Sequence, residues 1–421
     1  MSEFTDYAPV ADAQAAVRDL VDPVTETERL PLAAADGRVL AEEVAAPRAV
    51  PHYERAAMDG YAVRAEDVVD ASDRSPVRLS VGDEVGAGRA VRVDTGEPVP
   101  EGADSVLVVE ATERVEGELT AFESVAPGEN VAPVGEDVEA GTTLFEAGHR
   151  LRPADLGLLK AVGAAHAAVY RRPEVVLIPT GEEIVESDPD PGQVIATNGL
   201  TVSRYVERWG GDAAVADIVP DEDDELEGAL SDAVAEADVV ATLGGTAVGE
   251  RDRVPGVIGD LGEVSFHGVG LRPGHPVGAA EVDGTPVLML PGYPVGCLVG
   301  AMALLRPAVA AAGRLPETNP PTTEAELTRK IASEPGMRTY ARVSLDGGEG
   351  SDASRSSSER RSDGDTATPT RSRGSGVLSS VTEADGWVVV PESVEGVPAG
   401  ETVPVEHWDG WPQAEYGGED P

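Results

Sequence analysis

The stretch from residue 174 to residue 312 alternates short, strongly apolar runs with longer amphipathic ones. The apolar runs, which include "EVVLIPTG", "DVVATLGGT" and "TPVLMLPG", are typical of buried strands, whereas "NGLTVSRYVERWGG" and "EDDELEGALSDAVAEA" are typical of helices. Alternation at this spacing predicts right-handed β-α-β crossovers on a parallel sheet. Because ligands bind such sheets at the carboxyl ends of the strands, we expect the loops after Ile178, Leu243 and Leu290 to lie close together.

Changes in this pattern divide the 421 residues into several predicted domains of a multidomain α/β plus β protein. Short Val-rich stretches between Gly, Pro and Asp turns predict a compact β-rich domain, and a second β domain follows the α/β region. Residues 347–375 contain no Val, Leu, Ile or aromatic residue, so we expect a disordered surface insertion there. The predicted domains are residues 1–47 with 140–172 (α/β), 48–139 (β-rich), 173–315 (α/β with a parallel sheet) and 316–413 (β).

Acidic side chains outnumber basic ones by 77 to 32, and the formal net charge of −45 argues against nucleic-acid or anionic-membrane partners. Only two basic residues are lysines, Lys160 and Lys330, while 41% of the residues are hydrophobic, so the chain is lysine-poor yet globular. This composition predicts a protein kept soluble in concentrated salt, in a halophile's cytoplasm.

The longest apolar run, Val295 to Leu305, is too short to span a bilayer, and the N-terminus lacks a leader pattern. Cys297 is the single cysteine, which excludes an intramolecular disulfide.

Three of the predicted strands end in loops that carry candidate ligand contacts. In "ATLGGTAVGERDRV", Gly244 and Gly245 let backbone amides approach a phosphate, and Asp252 is placed to hold a divalent cation against it. An ordinary β-α turn is the alternative explanation of this segment. The loops "PTGEEI" and "MLPGYPVG" and the nearby "GVGLRPGHPVGAA" add Thr180, Gly181, Glu183, Arg272, His275, Pro291 and Pro294 as candidates.

The same region carries a concentration of positive charge. Arg251, Arg253 and Arg272 form a local basic island in an otherwise acidic chain, and this predicts an anionic substrate. His275 would add a further cation, although an ordinary surface histidine explains it equally well when it is taken alone.

Asp59, in "AAMDGYAV", has two explanations. An Asp-Gly pair between apolar residues is a strong hairpin signal, so a tight turn explains Asp59 without any chemistry. From the residues alone the tight turn is the favoured explanation, and a functional carboxylate is the alternative.

Eight motifs occur in series: "AAMDGYAV", "VDTGEPVPEGADSVLVVE", "GENVAPVGEDVEAGTTLFEAGHRL", "PTGEEI", "PGQVIATNGL", "LGGTAVGERD", "LRPGHPVG" and "MLPGYPVGC". Their order and spacing resemble the MoeA family of molybdopterin molybdenumtransferases, which is related to the gephyrin E domain. The resemblance extends from about Tyr7 to the C-terminal β domain. It implies a homodimer of four-domain subunits, each with a β-rich lid domain, a molybdopterin-binding α/β domain and a C-terminal β-barrel-like domain. The lid of one subunit would face the α/β domain of the other.

The resemblance also implies a reaction and a set of site residues. Molybdate would be inserted into adenylylated molybdopterin, with Mg²⁺-dependent release of AMP. The implied catalytic residues are Asp59, Thr95, Asp137, Glu183 and Asp252, and Asp59, Glu183 and Asp252 would hold the Mg²⁺. The implied substrate-binding residues are Thr180, Gly181, Gly244, Gly245, Thr246, Arg272, His275, Pro291, Gly292 and Pro294.

Three motifs depart from the family pattern. The usual "GGVSVG" is "GGTAVG" here, "PGNP" is "PGYP" and "KPGKP" is "RPGHP", which puts Ala247, Tyr293 and His275 in place of a serine, an amide and a lysine. A histidine need not be charged near neutral pH, so oxyanion affinity is expected to be lower. The alternatives are a paralogue that uses tungstate, a carrier that binds molybdopterin without turnover, and an unrelated nucleotide-binding α/β protein.

Overall fold

Two compact units make up the part of the chain that the computed structural model describes, residues 7–115, 117–247, 253–316, 318–346, 366–370 and 374–409. The larger unit contains residues 1–29, 36–41 and 168–421, and the smaller contains residues 30–35 and 42–167. The finer division into four domains stays a prediction.

A six-stranded sheet lies at the centre of the larger unit, and four of its strands are parallel, as the sequence predicts. Strand Val239–Leu243 is buried along its whole length, which is typical of a parallel strand covered on both faces. Pro179 lies beside Leu243, and Leu243 beside Leu290, so the carboxyl ends of three strands are level. Two antiparallel strands complete the sheet, whose spatial order is Asp212–Val215, Glu174–Pro179, Val239–Leu243, Thr285–Leu290, Gly278–Val282 and Glu263–His267.

Helices pack against the sheet through two separate apolar clusters. Helix Asn198–Trp209 is amphipathic and ends at Gly210, whose φ of 100° is the left-handed conformation that favours glycine. Helix Asp223–Glu236 begins with three acidic residues, which stabilise its positive N-terminal end. The other helices among the described residues of this unit are Val10–Leu20, Val254–Leu261 and the short Ser379–Thr382, besides the long apolar helix described next.

The longest apolar run of the sequence lies in a helix that extends from Pro294 to Ala312. Its middle part, Ala301–Leu305, has the wider hydrogen bonding of a π-helix. By length and composition alone this helix would suffice to cross a membrane, but 83% of its apolar window is buried inside the protein. A helix that is apolar all round is typical of a protein core, and this one packs with the sheet and with helix Val10–Leu20.

Five strands near the C-terminus close into a barrel, so the predicted second β domain is confirmed as a barrel. Closure arises because Arg338–Asp346 pairs with both Thr366–Pro369 and Gly386–Val390. The short strand Leu271–Arg272 pairs with Arg338 and Thr339, at the beginning of Arg338–Asp346, and so joins the barrel to the α/β region. The barrel order is Arg338–Asp346, Thr366–Pro369, Thr322–Leu327, Thr402–Glu406 and Gly386–Val390.

One part of the segment 347–375 is not disordered, contrary to expectation. Thr366–Pro369 forms a barrel strand that pairs antiparallel with one neighbour and parallel with the other, and Ala367 is fully buried. Pairing through backbone hydrogen bonds needs no large apolar side chain, so the composition misled the prediction at this point. Residues 347–365 and 371–373 lie outside the described residues.

The smaller unit is built on a second six-stranded sheet, in agreement with the predicted β-rich region. Its apolar core includes Val63, Leu107 and Leu119. Helix Pro153–Ala161 belongs to the same unit. The spatial order of the strands is Ser105–Val108, Gly60–Val63, Arg89–Val93, Val77–Val81, Glu118–Ala121 and Thr112–Val115.

The hairpin explanation of Asp59 is wrong. The strands on its two sides do not pair with each other. Arg55–Ala56 pairs with Val131–Ala132, whereas Gly60–Val63 pairs with two strands of the six-stranded sheet of the smaller unit. Gly60 is required for a different reason, because a Cβ there would lie 1.9 Å from the carbonyl oxygen of Leu107 on the neighbouring strand. Gly60 thus serves this close approach and not a hairpin.

Candidate functional site

The level carboxyl ends of three parallel strands open into a cleft of about 1520 Å³. The loops that follow Ile178, Leu243 and Leu290 all line it, so they lie together as predicted. Typical ligand pockets measure about 300–1000 Å³, so this cleft has room for a ligand larger than a mononucleotide. The predicted site residues that line it are Thr180, Glu183, Gly244, Gly245, Thr246, Arg272, His275, Pro291, Gly292 and Pro294.

The glycine turn in this cleft presents backbone N–H groups. Gly244 has a φ of 139°, and a Cβ there would lie 2.4 Å from the carbonyl oxygen of Thr180, so the turn needs glycine. The N–H of Gly244 donates to the carbonyl oxygen of Leu290 at 2.9 Å. The next three N–H groups, of residues 245–247, have no acceptor among the described residues. N–H groups without an acceptor at a turn of this kind are available to bind an anion.

Two threonine hydroxyls add to this site. Thr180 and Thr246 are 2% and 1% exposed, and their Oγ1 atoms have no hydrogen-bond partner within the described residues. A buried hydroxyl without a partner destabilises a fold by about 1–3 kcal/mol, so a ligand that accepts these bonds offsets that cost. The family pattern has a serine at position 247, where this chain has alanine. Thr246 thus supplies a hydroxyl one residue earlier.

The sequence did not single out Asp221, which lies beside the same turn. Its Oδ1 is 3.5 Å from the position that a Cβ of Gly245 would occupy. Asp221 begins an acidic run that continues into the predicted helix "EDDELEGALSDAVAEA", and that helix is confirmed from Asp223 onwards. Nothing in the sequence separates Asp221 from this run, because only the fold places it against the glycine turn.

Basic side chains dominate the charge of the cleft wall, although the chain as a whole is strongly acidic. Among the described lining residues four carry a basic side chain, Arg272, Arg329, Lys330 and Arg342, and one, Glu183, carries an acidic one. Burial lowers the pKa of Arg342, but a guanidinium stays charged at neutral pH. The three cations of the barrel were missed by sequence reasoning. The one sequence feature that could have indicated them is Lys330, because a lysine is rare in a chain that has only two.

The motif "RPGHP" contributes one charged and one mainly neutral side chain. Arg272 donates a hydrogen bond to Glu334 at 2.7 Å. Burial lowers the pKa of His275, and the nearby charge of Arg272 lowers it further, so the imidazole is mainly neutral at neutral pH. Replacement of the family's lysine by His275 therefore removes a positive charge from the cleft.

The predicted basic island is wrong in part. Arg253 does not line the cleft and instead forms an ion pair with Asp223 at 2.9 Å. Arg251 lies outside the described residues. Of the three arginines, Arg272 alone is placed by the described structure in the cleft wall.

The loop from Pro291 to Pro294 is held from both sides. The carbonyl oxygen of Gly292 accepts a hydrogen bond from the side chain of Asn198 at 2.8 Å. Pro294 occupies the first turn of the long helix, where proline fits because that position needs no N–H donor. The ring of Tyr293 projects from this fixed loop and is 66% exposed in the cleft.

The carboxylates predicted to hold a metal ion do not form a cluster in the described residues. Those residues contain no group of three or more His, Cys, Asp or Glu side chains that is placed to hold a metal, and Asp252 lies outside them. Glu183 lines the cleft, whereas Gly181 does not and donates its N–H to Val219 at 3.1 Å. Mg²⁺ is usually bound by one or two carboxylates together with phosphate oxygens and water, and Glu183 in this cleft fits that donor set.

The smaller unit brings Asp59 and Thr95 together. Oδ1 of the exposed Asp59 accepts hydrogen bonds from the hydroxyl of Thr95 at 2.6 Å and from its N–H at 2.8 Å. The hydroxyl bond, and then the backbone bond, lower the pKa of Asp59, so the carboxylate is charged at neutral pH. Asp137 belongs to the same unit and is exposed, and its N–H donates to Val50 at 3.0 Å.

Known families match nearly the whole chain. Family models described as "MoeA N-terminal region (domain I and II)", "Probable molybdopterin binding domain" and "MoeA C-terminal region (domain IV)" match residues 8–163, 176–311 and 324–408. The molybdopterin molybdenumtransferase of Bacillus subtilis is 32% identical over 410 residues, which cover 92% of each chain. The chain belongs to the MoeA family.

Further relatives support the MoeA fold. Molybdopterin molybdenumtransferase 2 of Mycobacterium tuberculosis is 36% identical over 357 residues, which cover 80% of this chain and 86% of the relative. Two crystal structures of the molybdopterin biosynthesis MoeA protein from Pyrococcus horikoshii have a TM-score of 0.79, at 34% and 29% identity, and cover 96% of this chain. The predicted fold class, with its central α/β domain, β-rich N-terminal region and C-terminal barrel, is therefore confirmed.

Proposed function

We propose that this chain is a molybdopterin molybdenumtransferase of molybdenum cofactor biosynthesis, which inserts molybdate into adenylylated molybdopterin and releases AMP. The observation that carries the proposal is the basic, N–H-rich cleft in a MoeA chain whose net charge is −45. Such a cleft suits a substrate with several phosphates and an oxyanion as its second substrate. The relatives with this architecture are named molybdopterin molybdenumtransferase.

Adenylylated molybdopterin and molybdate would contact different parts of the cleft wall. The N–H groups of residues 245–247 and the hydroxyls of Thr180 and Thr246 would donate to phosphate oxygens. Arg329, Lys330 and Arg342 would neutralise the molybdate dianion or the AMP that leaves. His275, being mainly neutral, would take part through hydrogen bonds rather than through charge.

The reaction handles anions throughout. Two sulfurs of the dithiolene replace one oxygen of molybdate, and that oxygen leaves as water with the two thiol protons. Cleavage of the phosphoanhydride adds the elements of one water and separates AMP from the phosphate of the cofactor. Positioned cations and N–H groups stabilise the negative charge that develops in the transition states of such steps. This electrostatic stabilisation is usually the largest single contribution to catalysis.

Mg²⁺ is part of the proposal, with Glu183 as its ligand from the cleft wall and phosphate oxygens as further ligands. When bound, the ion would neutralise charge on the phosphates. The role of Asp252 as a second ligand rests on the family motif alone.

The chain would act as a homodimer in a salt-rich cytoplasm. As the family resemblance implies, Asp59 and Thr95 of one subunit would act on the substrate held by the other. What supports this role is that Asp59 is exposed, charged and held by Thr95 although it is not part of a hairpin turn. Light scattering in high salt measures the oligomeric state.

The test is AMP release from adenylylated molybdopterin with Mg²⁺ in high salt, in the presence of molybdate, of tungstate or of neither. Release that depends on molybdate is the expected result. Faster release with tungstate would identify tungstate as the preferred oxyanion substrate, although the names of the relatives do not favour tungstate. Absence of release with either oxyanion would reject the transferase.

A carrier that binds molybdopterin without turnover is the second candidate. The observation that favours it is the replacement of three family residues by Ala247, Tyr293 and His275, all of which line the cleft. Tight binding of molybdopterin without AMP release would support the carrier. Restoration of the family residues, Ala247→Ser with His275→Lys, would then be expected to restore release.

A further inference from the structure

Tyr293 is an unusual residue in this chain because its large ring is uncovered. It is 66% exposed, and the next most exposed aromatic residue among those described, Tyr53, is 37% exposed. Aromatic residues make up only 4% of the sequence. Their apolar area is normally buried, so a ring left open in a cleft wall indicates contact with a ligand or a partner.

The backbone of Tyr293 is held by the long helix, and the ring has a neighbour in Gly376. The carbonyl oxygen of Tyr293 accepts the N–H of Cys297 at 2.8 Å, which ties it to the first turn of the long helix. Gly376 lies against the ring, since a Cβ at Gly376 would be 3.4 Å from Cδ1 of Tyr293. The hydroxyl of Tyr293 has no hydrogen-bond partner among the described residues. The ring contacts Gly376 on one side and leaves most of its surface open to the cleft.

Other exposed apolar side chains line the same cleft. Val194 and Ile195 are 53% and 48% exposed and belong to the cleft wall. The wall thus combines an apolar part, which contains the aromatic ring, with the basic and N–H-rich part described above. A ligand that carries both a flat ring and anionic groups fits this combination.

We propose that Tyr293 stacks on a flat nitrogen heterocycle of the substrate, the pterin or the adenine, and so contributes to substrate specificity. The identity of the heterocycle rests on the proposed function. Tyrosine offers a ring face, whereas the amide that the family pattern has at this position offers hydrogen bonds to a ring edge. The chain would therefore recognise the heterocycle by stacking where an amide recognises it by hydrogen bonding.

Binding measurements by calorimetry in high salt separate the two heterocycles. The probes are AMP, which carries the adenine, pterin-6-carboxylate, which carries the pterin, and ribose 5-phosphate, which carries neither. The variants are Tyr293→Ala, Tyr293→Phe and the control Leu200→Ala. Leu200 is also 66% exposed but does not line the cleft, so its truncation removes a similarly exposed apolar side chain without touching the ligand.

Stacking predicts that Tyr293→Ala weakens one of the two heterocyclic probes about tenfold, because loss of an aromatic partner weakens a stacked base by about that factor. The heterocycle that responds is the stacked one. Tyr293→Phe should bind within about twofold of wild type, since it keeps the ring. Leu200→Ala should bind as wild type, and ribose 5-phosphate should bind every variant equally.

Several results would overturn the proposal. Equal losses in Tyr293→Ala and Tyr293→Phe would assign the effect to the hydroxyl, and weaker binding of ribose 5-phosphate would assign it to a deformed loop. Unchanged affinities together with a shift to a smaller oligomer would make Tyr293 an interface residue. If wild type releases AMP and Tyr293→Ala has the wild-type KM for adenylylated molybdopterin, the stacking role of Tyr293 is rejected while the transferase function is supported. If wild type binds neither probe and releases no AMP, both proposals fail.

Discussion

The carboxylate of Asp59 is held by Thr95 through two hydrogen bonds to one oxygen, at 2.6 Å from the hydroxyl and 2.8 Å from the backbone N–H. The two residues are 36 positions apart in the sequence. Both bonds stabilise the charged form, which is why the pKa of Asp59 lies below its ordinary value. An exposed carboxylate that is fixed and charged in this way is available to a ligand through its second oxygen.

Replacement of Asp59 is expected to abolish most turnover without unfolding the protein. Asp59→Ala removes an exposed side chain, so the melting temperature should stay close to that of wild type. The rate of AMP release should fall by about 100-fold or more if the carboxylate acts in the reaction. Asp70→Ala removes another exposed carboxylate of the same unit and serves as the control. Equal rates in the two variants would return Asp59 to a purely structural role.

The glycine turn provides a test of the phosphate site. Gly244→Ala places a Cβ against Thr180 in a left-handed backbone, so it should lower the free energy of unfolding by about 1–3 kcal/mol and weaken AMP binding. Gly284→Ala is the matched control, because Gly284 also has a positive φ, 83°, but has no atom within 4 Å of the added Cβ. Urea unfolding and calorimetry give the two quantities. If both variants bind AMP equally well, the turn does not hold the phosphate.

Regular patterns in the sequence predicted the parts of the site that one element and its loop define. The strands before Thr180, Gly244 and Pro291 are apolar runs in a parallel sheet, so their level ends follow from the alternation of strands and helices. Even so, the local Asp-Gly pair predicted a hairpin that does not form, because Gly60 serves a close approach to Leu107.

The cations of the barrel could not be predicted in the same way. Arg342 lies on a strand whose edge pairs with Leu271–Arg272, more than sixty residues earlier in the chain. This pairing joins the barrel to the α/β region, and no periodic pattern encodes such a long-range contact. Asp221 was missed for a related reason, since its neighbour Gly245 follows a different strand.

Lys330 should matter for substrate binding, and the chain supplies its own control. Lys330→Ala removes an exposed cation from the cleft wall, so the KM for adenylylated molybdopterin should rise by about three- to tenfold at low salt. Because the side chain is exposed, the effect should shrink as salt is added. Lys160→Ala removes the other lysine, which is also exposed but belongs to the smaller unit, and should leave KM unchanged. A rise in KM that is the same for both variants would reject a local role for Lys330.

His275 should make the stability of the protein depend on pH in a predictable direction. Its folded-state pKa lies below the ordinary value of 6.5, because burial and then Arg272 disfavour the charged form. The unfolded chain therefore binds a proton more readily than the folded one, and stability is complete above the ordinary pKa and falls as pH drops through it. His275→Gln, which cannot be protonated, should lose less stability than wild type between about pH 7.5 and pH 5.5 in urea unfolding.

The same property should control anion binding. Near neutral pH the cleft lacks the charge that a lysine would supply, so His275→Lys should bind molybdate about threefold or more tightly at about pH 7.5, where wild-type His275 is mainly neutral. The advantage should shrink as pH falls and wild type gains its own charge. His166→Lys adds the same charge at an exposed histidine of the smaller unit and should leave molybdate affinity unchanged. Calorimetry at the two pH values gives the affinities, and equal gains in both lysine variants would mean that net charge, rather than a cation at residue 275, governs oxyanion binding.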